Sequence, residues 1–149
     1  MNNPTSCAGS TLGLLFRQVR DAMWARMERE LAAAGHELTF SQYITLKKLA
    51  SGTASVTDLA RAAELNPGAM TRLLDRLEAK GYIARLADPA DRRALHIQLT
   101  PAGSTMWSDV NHCGQRVREC AMSGMSEADR EQLTRLLEQV RDNLSQDGP

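Results

Sequence analysis

Arginines carry the most legible chemistry in this chain. Arg72 and Arg76 stand one helical turn apart in a pattern whose Met70, Leu73, Leu74 and Leu77 turn inward. The outward set is then Gly68, Ala69, Thr71, Arg72, Asp75, Arg76 and Ala79. A helix fits the major groove of duplex DNA, where outward guanidinium groups can reach base edges and phosphates. Gly68 and Ala69 leave the helix start without bulk, so backbone N–H groups could approach a phosphate. A second pair, Arg92 and Arg93, ends the polar stretch Ala87-Asp-Pro-Ala-Asp-Arg-Arg93. On a loop these two could enter an adjacent minor groove, whose negative potential attracts arginine, with Asp91 holding the Arg93 guanidinium in place. Two arginines on an exposed helical face are, alone, more often solvated charges. Their conjunction with a second pair on a loop points to nucleic acid.

The elements that must position these side chains can be read from periodicity and punctuation. A long helix is predicted from about Thr11 to Ala34, with Leu12, Leu15, Phe16, Val19, Met23, Met27 and Leu31 at three- and four-residue steps and Gly35 as its stop. Thr39-x-x-Gln42 is a capping box for a second helix, and Leu38 and Tyr43 have the spacing of a hydrophobic staple. A short third helix follows Ser55-Val-Thr57. The fourth takes Asn66 as N-cap and Pro67 in its first turn and stops at Gly81. Tyr82–Leu86 and Ala94–Leu99 read as strands, the second alternating Leu95, Ile97 and Leu99 with His96 and Gln98. Thr100-Pro101 opens a fifth helix, with Met106, Val110, Cys113, Val117 and Cys120 or Ala121 inward. Ser126-x-x-Asp129 opens a sixth, striped by Leu133, Leu136, Leu137, Val140 and Leu144.

The expected fold class is therefore mainly α: a winged helix-turn-helix over residues 38–100 with a two-stranded wing hairpin. Long N- and C-terminal helices, residues 11–34 and 101–144, flank it as a dimerisation region, and residues 1–10 and 145–149 are expected to be flexible ends. The terminal helices have broad apolar faces and little core of their own, which predicts a homodimer.

With 149 residues, 42% hydrophobic and 24% charged, the chain fits one compact domain with a dimerisation extension. No apolar run approaches the ~18–20 residues of a membrane span, and Met1-Asn-Asn-Pro-Thr-Ser lacks the regions of a signal peptide, so a cytoplasmic protein without a membrane partner is expected. Eighteen basic and 18 acidic residues cancel, against the basic balance usual for nucleic-acid binders. The cancellation is segmental. Residues 41–100 carry nine basic and six acidic side chains, whereas residues 121–149 carry three and six. Binding to DNA should then rely on a few placed arginines and on two copies rather than on a broad basic field.

Three stretches, Ser55-Val-Thr-Asp-Leu-Ala-Arg-Ala-Ala63, Asn66-Pro-Gly-Ala-Met-Thr-Arg-Leu-Leu-Asp-Arg-Leu-Glu-Ala-Lys-Gly-Tyr-Ile83 and Arg85-Leu-Ala-Asp-Pro-Ala-Asp-Arg-Arg93, with Leu99-Thr-Pro-Ala-Gly103, resemble the MarR family of bacterial transcriptional regulators. The resemblance spans about Leu12 to Leu144. It implies a homodimer in which the first, fifth and sixth helices of two subunits intertwine and set two winged helices over successive major grooves of a near-palindromic operator. It also implies that Arg93 is the wing arginine, with Asp91 as its partner. Family members commonly repress, and release DNA when a small phenolic or anionic ligand, an oxidant or a metal acts near the junction of the two lobes.

An effector pocket between the dimer helices and the winged helix would draw on Arg17, Arg20, Trp24, Tyr43, Lys47, Met106 and Trp107, apolar walls with a cation that suit an aromatic carboxylate. Cys7 near the N-terminus is the candidate for thiol-based redox control, the alternative mode of regulation. Cys113 and Cys120, roughly 10.5 Å apart on one helix at ~1.5 Å per residue, are too far apart to bridge each other. The three histidines, His36, His96 and His112, have no ligand spacing, so neither a metal nor another cofactor is expected, and no arrangement suggests an enzyme. A winged helix used only for protein association is the remaining alternative. Such modules lose the basic face that Arg72, Arg76, Arg92 and Arg93 supply here.

Overall fold

The computed structural model describes residues 8–91 and 93–146. In chain order it comprises α1 (Ala8–Ala33), α2 (Phe40–Ala50), β1 (Ala54–Ser55), α3 (Val56–Ala63), α4 (Pro67–Ala79), β2 (Ile83–Ala87), β3 (Leu95–Leu99), α5 (Pro101–Ala121) and α6 (Glu127–Ser145). Contacts divide the chain into Met1–Val117 and Arg118–Pro149, with the boundary inside α5.

Within the first unit the helix starts form as their cap residues dictate. The Thr39 hydroxyl accepts from the Gln42 N–H while the Gln42 side chain accepts from the Thr39 N–H, so the capping box closes both ways. Ser55 caps α3 through the Asp58 N–H, and Asn66 caps α4 through the Ala69 N–H. Between α3 and α4 the chain turns at Glu64, whose φ of 54° places it in the left-handed region. A non-glycine residue there costs about 1 kcal/mol, offset because its N–H and that of Leu65 close the end of α3.

The expected wing hairpin forms from β2 and β3, and a further short strand joins it. The sheet has three antiparallel strands in the order β1-β3-β2, with Ala54 opposite Ile97 and Ser55 opposite His96. β1 escapes a pattern reading because two residues show no alternation; only their pairing with β3 makes them a strand. On the other edge Ile83, Arg85 and Ala87 pair with Leu99, Ile97 and Leu95.

Leu46, Leu59, Met70, Leu74, Leu77 and Ile97 are fully buried and form the centre of the core, joined by Met27 and Leu31 of α1 and by Met106, Val110, Cys113 and Val117 of α5. The expected inward stripe of α5 ends at Val117. Cys120 and Ala121, one of which was expected to continue it, are both exposed because the helix stops there. α1 includes Ala8, three residues before Thr11, and leaves Leu12, Leu15, Phe16, Val19 and Met23 exposed.

In the second unit Ser126 caps α6 through the Asp129 N–H, and Arg130 donates to the carbonyls of Met122 and Met125 at 3.1 and 3.3 Å. No α6 residue is buried: Leu133 and Val140 are half-buried, and Leu136, Leu137 and Leu144 are exposed. Among the described residues no helix is long and apolar enough to cross a membrane.

Candidate nucleic-acid interface

Burial of Leu73, Leu74 and Leu77 fixes the rotation of α4 and leaves Gly68, Thr71, Arg72, Asp75 and Arg76 exposed. Among the described residues neither Arg72 nor Arg76 has a carboxylate partner, so both guanidinium groups are free to meet a ligand. Gly68 has only the Asn66 side chain near its open side, at 3.5 Å. The Thr71 hydroxyl donates to the Pro67 carbonyl at 2.9 Å, one turn back, so it offers an acceptor and a methyl group outward rather than a proton for a phosphate.

Asp75 lies on the same face, where a bare carboxylate would repel a polyanion. Arg85, projecting from β2, answers it: NH2 is 2.8 Å from Asp75 Oδ1 and NH1 is 3.0 Å from Glu78 Oε2. Partial burial opposes the charge on Arg85, but the hydrogen bonds it donates to Asp75 and Glu78, with the attraction of their charges, outweigh it and hold its pKa above the ordinary arginine value. The fork thereby ties α4 to the wing strand. Sequence reasoning passed over Arg85 as a site residue, although its place in the middle of β2, ten residues after Asp75, was visible.

The wing tip is shaped by two aspartates three residues apart. Asp88 Oδ1 accepts from the Ala90 N–H at 2.8 Å, and Asp91 Oδ1 accepts from the Arg93 N–H at 3.0 Å. Each is an Asx turn, the local bond for which aspartate is favoured in loops. Asp91 does hold Arg93, but through the main chain; the expected grip on the guanidinium does not form, because the carboxylate turns back onto the loop and leaves that side chain exposed. Arg92 lies outside the described residues, as does Cys7.

At the base of the wing Thr100 joins three elements. Its hydroxyl donates to the Gly81 carbonyl and accepts from the Gly103 N–H at 3.0 Å, and its own N–H bonds the Tyr82 carbonyl at 3.0 Å. Gly103 packs so closely that a Cβ there would overlap the Tyr82 carbonyl oxygen. The Leu99-Thr-Pro-Ala-Gly103 segment is thus a packing joint: the threonine caps α5 and the glycine admits the backbone of Tyr82.

Of the proposed effector residues, three come together. Trp24 and Tyr43 have ring centroids 5.8 Å apart, as do Tyr43 and Trp107, and Phe40 meets Trp24 edge-on at 5.0 Å. Trp24, Phe40 and Arg20 line a cavity of about 400 Å³. Arg20 there is paired with Asp21 at 3.1 Å, and Arg17 also approaches Asp21, at 3.8 Å. Met106 instead lines a separate cavity of about 380 Å³ with His36, Lys80 and Tyr82, and Lys47 is exposed on α2. The aromatic wall and the cations are therefore only partly convergent. Elsewhere, Glu30 of α1 bonds Arg116 of α5 at 2.7 Å and Arg26 at 3.3 Å; the Arg116 bond chiefly holds its carboxyl below the ordinary glutamate range. Arg116 also lies 3.2 Å from the buried Cys113 thiol.

Comparison with known proteins agrees with this geometry. The MarR family model matches residues 38–95, from the start of the α2 capping box to β3. The chain is 26% identical over 133 residues to the HTH-type transcriptional repressor NicR of Pseudomonas putida, covering 89% of this chain and 83% of NicR. The solved transcriptional regulator PA3341 is 30% identical with a TM-score of 0.77, covering 89% of this chain and 97% of that one. A mutant MarR from E. coli in complex with operator DNA shares the fold, with a TM-score of 0.75 at 24% identity, over 93% of this chain and 99% of that one.

Proposed function

The chain belongs to the MarR family of transcriptional regulators, and from that premise we propose that it is a repressor that binds a near-palindromic operator as a homodimer. One observation carries this reading: among the described residues Arg72 and Arg76 stand unpaired on the exposed face of α4, while the neighbouring Asp75 is paired with Arg85 from the wing strand. A face with free guanidinium and its carboxylate engaged suits the major groove. Arg93 on the ordered wing, with Arg92 beside it in sequence, adds a minor-groove grip, and Gly68 leaves room for a phosphate at the helix start. Such a regulator works on the chromosome, hence in the cytoplasm.

Homodimerisation is supported by the exposed apolar residues of α1 and, separately, of α6. The relief of repression is assigned to a small aromatic carboxylate bound against Trp24, Tyr43 and Trp107, with Arg20 lining the cavity beside Trp24.

Fluorescence anisotropy with DNA from upstream of the protein's own gene tests the reading. Arg72→Ala or Arg76→Ala should cost ~1–3 kcal/mol of operator binding if the side chain is bidentate to a base, and less, uniformly over sequences, if it meets phosphate. Arg93→Ala should weaken operator binding about tenfold while leaving the unfolding midpoint unchanged. Binding to the upstream DNA that never exceeds binding to random duplex would defeat the function.

A further inference from the structure

The wing contains a pair of side chains that phosphate or base contact does not explain. His96 lies on β3, opposite Leu86 of β2 and Ser55 of β1, with its Nε2 3.0 Å from Asp88 Oδ2. The other oxygen of the same carboxylate takes the Ala90 N–H. Asp88 therefore reaches across the hairpin to the returning strand and folds the first turn of the tip at once. Its main chain continues the linkage: the Asp88 carbonyl accepts from the Asp91 N–H at 3.3 Å, and its N–H donates to the Ala94 carbonyl at 3.1 Å. Asp91 then folds the second turn through the Arg93 N–H. A run of bonds thus connects His96, Asp88, Asp91 and Arg93.

We propose that His96 and Asp88 form a latch that positions the wing arginine Arg93 for DNA, acting through the two Asx turns rather than by touching the nucleic acid. The inference rests on the reading that the wing grips DNA. An ionised carboxylate only accepts, so the imidazole must present its proton at Nε2. The bonds from His96 and then Ala90 keep the Asp88 carboxyl below the ordinary aspartate range, which keeps it in that accepting form near neutrality. The strand partners of His96, Ser55 and Leu86, are uncharged, and its neighbours Leu95 and Ile97 are apolar; among the described residues Asp88 is the charged group it meets.

The test is operator affinity of the full chain, with Arg93→Ala as reference. His96→Leu should lower affinity about threefold to tenfold, and His96→Gln, which keeps a donor without the charge, should recover most of it. Adding His96→Leu to Arg93→Ala should lower affinity no further, since the latch acts through that arginine. Unfolding midpoints and circular dichroism establish that each variant is folded. If Arg93→Ala binds as wild type does, the wing reading itself falls. If Arg93→Ala is weak while folded His96→Leu and Asp88→Ala bind normally, the latch falls alone. Full additivity of the double substitution, or no recovery by glutamine, also overturns it.

Discussion

The region from α2 to β3 and the outer helices spend their apolar residues differently. In the former Leu46, Leu59, Met70, Leu74, Leu77 and Ile97 bury one another completely. Residues 12–23 of α1 leave five large apolar side chains of its stripe exposed, and α6 buries none of its own. The same helical periodicity therefore has two outcomes: a shared core, to which Met27 and Leu31 of α1 and Met106, Val110, Cys113 and Val117 of α5 also contribute, and an exposed apolar surface on the outer helices. The homodimer proposed above would cover that surface.

The sharpest way to break that contrast is to charge the outer helices. Leu15→Glu with Leu137→Glu should produce a folded monomer by light scattering whose operator affinity falls about 100-fold, because two half-sites no longer bind as one. An unchanged dimer would show that these faces are not the interface. Next in size, Gly103→Ala should destabilise the winged region by about 2–4 kcal/mol in urea unfolding, since the Cβ meets a backbone carbonyl rather than a yielding side chain. Dimer association of the folded fraction should be untouched.

A gentler probe is acid. The folded-state pKa of Glu30 is depressed, so its stabilisation is present above the unfolded glutamate value and is lost as pH falls through the lower, folded value. Glu30→Gln should therefore be less stable than wild type near pH 7 but converge with it on acidification, as followed by urea midpoints. The smallest effect is a gain. Glu64→Gly should raise stability by about 0.5–1 kcal/mol by relieving the left-handed residue between α3 and α4, with operator affinity unchanged.

Much of this was legible because it is local. Thr39, Ser55, Asn66 and Ser126 announce helix starts by chemistry that acts within three residues, and the leucines of α4 fix which arginines face out. What escaped reading depends on residues brought together from a distance or on a choice among bonds. β1 exists only through β3, Arg85 finds Asp75 only once the hairpin is folded, and the need for glycine at position 103 becomes clear only beside Tyr82. Asp91 had two ways to hold Arg93, and its sequence spacing could not choose between main chain and side chain.

The Thr100 joint has a mechanical consequence. The loop closing α4 and the first turn of α5 are bonded to the Thr100 hydroxyl, and the residue before β2 to the Thr100 N–H, so one residue holds all three. The start of α5 is thereby tied by hydrogen bonds to the end of α4 and to the entry of β2. In the homodimer proposed above, two winged regions on one duplex would have to match a groove spacing of about 34 Å, so a small rotation at this joint would take one of them out of register.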